Sequence, residues 1–107
     1  MAFLIKQNDT LPNLPFQFFQ PGGDPLSLVN ATSVSMVVRD PNGLLAFKKP
    51  CTIVDEEEGL GFYDWDPEDT EEFGNFLYEF EIVWVDGNVQ TLPVDSYFDL
   101  TIVDDIG

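Results

Sequence analysis

Between residues 75 and 85 the side chains alternate strictly. Phe76, Tyr78, Phe80, Ile82 and Trp84 fall on one face, and Glu79 and Glu81 on the other. A period of two belongs to a half-buried β-strand, because successive side chains of an extended chain point to opposite faces. No segment carries apolar residues at the spacing of an amphipathic helix. The same alternation recurs at residues 33–40, with Val34, Met36 and Val38 on one face and Ser33, Ser35 and Val37 on the other. Asp40-Pro41-Asn42-Gly43 then supplies turn chemistry, and residues 44–54 read as the return strand of a hairpin, interrupted near Pro50.

Shorter strands are predicted at residues 3–7, 14–20, 61–65, 89–92 and 97–103, with a brief extended piece at 26–28. Prolines 12 and 21 place the second of these at a sheet edge or in an irregular stretch. Pro67-Glu68-Asp69-Thr70 reads as a turn or a short helical turn, Asp86-Gly87 as a tight hairpin turn, and residues 104–107 as a loose tail. About seven short strands separated by turns predict one all-β domain over residues 1–107, an immunoglobulin-like antiparallel β-sandwich.

The chain carries 20 acidic and 4 basic residues and no histidine, for a formal net charge of −16. Nucleic acid and anionic membranes are therefore excluded as partners, since both require clustered Lys and Arg. Basic protein surfaces or divalent cations are what such a field attracts. Ten Phe, three Tyr and two Trp in 107 residues argue for a packed core and against disorder. Cys51 is the single cysteine, so no internal disulfide forms. The first residues lack the basic and long apolar runs of a secretion signal, and no apolar stretch is long enough to span a bilayer. Folding in a cytoplasm is the expectation.

In immunoglobulin domains a tyrosine sits where Phe76 stands and a cysteine where Tyr78 stands. Both are missing here, so aromatic packing is expected to replace the disulfide. Several phrases together resemble a known family. Lys6-Gln7-Asn8-Asp9-Thr10 with Pro12 comes first, then Leu28-Val29-Asn30-Ala31 and Val37-Val38-Arg39-Asp40. Tyr63-Asp64-Trp65, Asp69-Thr70, Gly74, Glu79-Phe80-Glu81 and Asp86-Gly87 follow, and Thr91, Pro93, Asp95 and Tyr97 close the series. Over nearly the whole chain this is similar to the N-terminal domain of phage baseplate upper proteins, with Asn8 in place of the usual Gly and Phe76 in place of the common Tyr. The resemblance implies a structural virion protein of a tailed bacteriophage, assembled in the host cytoplasm. Such an adaptor would dock tail, baseplate or neck components in multiple copies of a symmetric assembly.

Without histidine, Ser-His and Cys-His catalysis and histidine-metal sites cannot be built. Lys48 and Lys49 could activate the Cys51 thiol, but a half-buried strand cysteine is the simpler reading. A glycosidase-like pair drawn from Asp64, Asp66, Glu68 and Asp69 would need a cleft and a raised carboxyl pKa, and a short chain with these acids beside a turn is expected to offer neither. No enzyme activity and no resident cofactor are expected. Calcium is the exception to weigh, because residues 55–72 hold ten of the acids, although they lack the Asp-x-Asp-x-Asp-Gly pattern. Interface candidates are Phe16, Phe18 and Phe19, of which one face must be buried, together with Lys6 and the acids Asp64, Asp66, Glu68 and Asp69. An alternative of another class is a free adhesion or carbohydrate-binding module with Trp65 or Trp84 as a sugar platform.

Overall fold

The computed structural model describes residues 2–93 and 96–105. Asp95, named in the resemblance above, and Ile106 and Gly107 of the expected tail lie outside the described residues.

Nine strands and one short 3-10 turn make up the described chain. They are β1 (Phe3–Lys6), β2 (Leu14–Gln17), β3 (Ala31–Arg39), β4 (Leu45–Pro50), β5 (Thr52–Asp55), β6 (Leu60–Tyr63), the turn η1 (Pro67–Thr70), β7 (Gly74–Trp84), β8 (Val89–Leu92) and β9 (Phe98–Val103). One sheet has the order β1-β9-β7-β3-β4, with β8 also paired to β7, and the other the order β2-β6-β5. This is the immunoglobulin-like sandwich. The one predicted strand that the structure divides is the return strand: it changes sheets at Cys51, so its halves β4 and β5 belong to different layers. As expected, β8 and β9 are separate strands, and they pair with successive stretches of β7 on either side of Pro93. One pairing departs from the antiparallel expectation: β1 runs parallel to β9, Ile5 beside Ile102.

The long alternation at β7 survives intact. Tyr78, Phe80 and Ile82 are buried with Val34, Met36 and Val38 of β3, their register partners, and with Leu100 and Ile102 of β9. The opposite layer contributes Leu14, Phe16 and Phe18 from β2 and its extension, with Tyr63 and Trp65 from β6 and beyond. Phe16 and Phe80 meet at 4.9 Å between ring centroids, and Phe18 meets Phe80 edge-on at 5.3 Å. Aromatic packing joins the layers at Phe80, two residues beyond Tyr78, whose own ring partners Phe80 and Phe98 lie in the same sheet.

The residues around 26–28 form no strand beyond an isolated bridge between Phe19 and Pro25. Asn8 adopts φ +68°, a left-handed conformation that asparagine tolerates better than most residues. Asp105, expected in a loose tail, is tied back to the turn after β1 by contacts to Gln7 and Asn8 at 3.5 and 3.4 Å.

Candidate functional site: an acidic cleft around Lys49

In β4 the pairings Val38–Phe47 and Met36–Lys49 put Phe47 and Lys49 on the face of the buried Val38 and Met36. Lys48 therefore points outward, where it reaches Glu81 at 2.6 Å. Adjacent lysines in a strand point to opposite faces of the sheet. Lys49 is the one turned in, at the rim of the sandwich.

The chain leaving β6 arrives opposite it. Asp66, Pro67 and η1 bring three carboxylates onto the Lys49 ammonium: Asp69 at 2.7 Å, Asp66 at 3.0 Å and Glu68 at 3.0 Å. The Lys49 ammonium lies 5.5 Å from the centre of the Phe47 ring. Asp69 is the anchor, its side chain only 1 % exposed. Besides Lys49 it accepts from the Tyr63 hydroxyl at 2.5 Å and from the Asp66 backbone N–H at 2.8 Å. From the other side the turn after β1 pins the same segment. Asn8 N–H donates to the Thr70 carbonyl at 2.9 Å, the Thr70 hydroxyl to the Asp9 carbonyl at 2.8 Å, and the Gln7 amide to the Glu71 carbonyl at 2.7 Å. A tyrosine–aspartate bond thus does tie down the loop before β7, but Tyr63 of β6 supplies the hydroxyl that Phe76 lacks.

Charge and burial shift these groups as electrostatics requires. The hydrogen bond to Asp69 holds Lys49 well above an ordinary lysine. Burial and then the bond to Asp69 push Tyr63 up. Lys49 holds Glu68 below the usual carboxylate range. Burial pushes the Cys51 thiol up to about 12, so the nearby lysines do not activate it; they are spent on carboxylates.

Lys49, Tyr63 and Cys51 each keep a proton longer when folded than when unfolded. Their stabilisation is therefore complete below the unfolded values, 9.0 for the thiol and 10.0 to 10.5 for the other two, and is lost as pH climbs past them. Urea denaturation between pH 7 and 11 is expected to show stability falling from about pH 9. Cys51→Ala should move the onset about one unit higher, toward the Tyr63 and Lys49 range. Undiminished stability at pH 11 would contradict the assignment.

Beside the cluster opens a cleft of about 420 Å³. Val38, Phe47, Phe76 and Ile102 form its apolar lining, and Glu68, Asp69, Glu71 and Glu72 its acidic part. A cleft was not expected next to these acids. Glu71 and Glu72 make no ion pair among the described residues.

The structure sorts the interface candidates. Phe16 and Phe18 are corrected to core residues, both on the inner face of the same strand line, while Phe19 points out and is 54 % exposed. Lys6 and Asp64 are exposed and stand apart from the cluster; Asp66, Glu68 and Asp69 converge on it, Asp69 buried. The ten acids of residues 55–72 do not form one loop. Glu56, Glu57 and Glu58 lie at one end of β6, and residues 64–72 follow its other end. Trp65 is buried, its indole N–H donating to the Pro12 carbonyl, and Trp84 is half-buried and donates to Gln90, so neither forms an open sugar platform. Sequence reading missed Lys49 and Tyr63, although the Lys48-Lys49 pair inside a strand signalled that the two charges lie on opposite faces of the sheet.

Asp66, Glu68 and Asp69 each place a carboxylate oxygen within 4.8 Å of the others, an arrangement that could hold a cation. The donors are all oxygen, which suits a hard ion.

Compared with known proteins, the chain matches no family model and no curated protein. Among solved structures it is similar to CopC from Methylosinus trichosporium OB3b, at 10 % identity and a TM-score of 0.55, covering 99 % of this chain and 87 % of that one. At that identity the likeness carries the fold alone, a β-sandwich. It corrects the expectation of a tailed-phage virion adaptor: the likeness found is to CopC, and no match supports a tail or baseplate role.

Proposed function

We propose that this chain is a non-catalytic binding module whose acidic cleft holds a cationic side chain, lysine or arginine, of a partner protein. The observation that carries the reading is the chain's own Lys49, whose ammonium lies near the Phe47 ring and ends on three carboxylates at the edge of an open cleft. Glu71 and Glu72 repeat that chemistry along the same cleft with no ion pair among the described residues, beside the apolar Phe47 and Phe76. An incoming lysine finds apolar surface for its methylenes and carboxylates for its head group.

A second reading is a hard divalent cation such as calcium at Asp66, Glu68 and Asp69, favoured by the closeness of their oxygens. It requires the Lys49 ammonium to leave, and three carboxylates fill only part of the six to eight oxygen positions calcium takes.

One titration separates the two. Hexalysine followed by NMR should shift the amides of residues 68–76, weaken with added salt, and bind at least tenfold more weakly to the Glu71→Gln/Glu72→Gln variant. Calcium chloride at equal ionic strength should compete no better than magnesium. Unchanged hexalysine affinity in the double variant would remove the lysine reading, and saturable calcium binding centred on Asp69 would install the second.

A further inference from the structure

The edges of the two sheets are guarded unequally. An exposed strand edge offers unpaired N–H and C=O groups to any extended chain, and proteins protect it with charge, proline or a bulge. Edge strand β4 carries Lys48, the inward Lys49 and Pro50. Edge strand β2 has Pro15, and β5 breaks register between Ile53 and Asp55. Strand β1 ends in Lys6. Among the described residues β8 alone has no such device: Val89, Gln90, Thr91 and Leu92 are uncharged and pair with β7 in unbroken register.

The direction of its free groups follows from the hairpin. Trp84 N–H donates to Asn88 C=O at 2.8 Å, so bonded pairs recur at Ile82–Gln90 and Phe80–Leu92. Val89 and Thr91 consequently turn their backbone groups away from β7. Beside this edge runs a groove lined by Phe19, Gln20, Pro21, Leu26, Gln90 and Leu92. Phe19 is 54 % exposed and Val89 59 % exposed.

We propose that the β8 edge takes up an extended segment of a basic partner protein by strand addition, with alternate apolar side chains of that segment entering the Phe19–Leu26–Leu92 groove. Charge complementarity selects this occupant. The wall of the groove is held to an acidic hairpin turn, for Phe18 N–H donates to Gly59 C=O and Leu28 N–H to Glu56 C=O, in a turn that holds Glu56, Glu57 and Glu58. Asp24 and Asp86 lie in the loops on either side. A second copy would bring another −16 of formal charge to the same edge. The inference is independent of the acidic cleft, which lies around η1.

The test uses the full chain and a seven-residue peptide alternating lysine and valine. Binding is expected to slow amide exchange across residues 89–92 and shift their NMR signals. N-methylation of alternate peptide residues, or glutamate in place of lysine, should cost at least tenfold in affinity. Thr91→Pro should also cost at least tenfold, and Thr91→Lys, which keeps the backbone donor, at least threefold. Shifts confined to residues 68–76, equal affinity for both Thr91 variants, or a β8-mediated homodimer in sedimentation would each overturn the proposal.

Discussion

Replacing Asp69 with alanine is expected to lower the unfolding free energy by about 3 kcal/mol in urea denaturation at pH 7. The substitution strands the Tyr63 hydroxyl in a buried position and removes the closest of the three partners of Lys49. It also leaves the Asp66 N–H at the start of η1 without its side-chain acceptor. A buried polar group left unpaired costs about 1–3 kcal/mol, and a charge-assisted bond adds about 1.5–3. Lys49→Met, made alone and in the Asp69→Ala background, completes a cycle. It should cost at least about 1 kcal/mol more in the parent than in the Asp69→Ala background, because the two groups share one network. Additive losses would show that the cluster is surface decoration and not the clamp between β4 and η1.

Gly61→Ala should cost about 3 kcal/mol or more, enough to put a domain of this size near the edge of folding. A methyl at Gly61 would overlap the Thr52 carbonyl oxygen of the neighbouring strand and approach the Phe16 ring to 2.6 Å. Backbone cannot yield there without separating β5 from β6. Gly22→Ala is the matched comparison, since nothing lies within 4 Å of its added carbon, and thermal denaturation should leave it close to the parent. Equal melting temperatures for the two variants would mean that the β5–β6 layer is looser than its register implies.

The strands of this fold were readable because burial on one face writes itself into sequence as alternation; β3 and β7 show it most plainly. The exchange of sheets between β4 and β5 was only hinted at by Pro50, since a strand that changes layers keeps its inward residues in the same phase: Phe47, Lys49, Cys51 and Ile53. The cluster was legible in half. Its acids stood out as a run, but nothing local in Lys49 or Tyr63 announces partners that lie 20 and 6 residues further along the chain. The same run misled in another respect, for β6 separates Asp55, Glu56, Glu57 and Glu58 from the acids that follow Tyr63. Of the three adjacent aromatics, phase decided the outcome. Phe16 and Phe18 share the inner face with Leu14, and Phe19 is left outside.

The parallel alignment of β1 with β9 has a mechanical consequence. Because the first and last strands of the sandwich run side by side in the same direction, tension drawn through the two ends of the chain would slide one along the other. The rungs from Phe3–Leu100 to Lys6–Val103 would then share the load and give way together. A hairpin pulled from its open ends would instead unzip rung by rung.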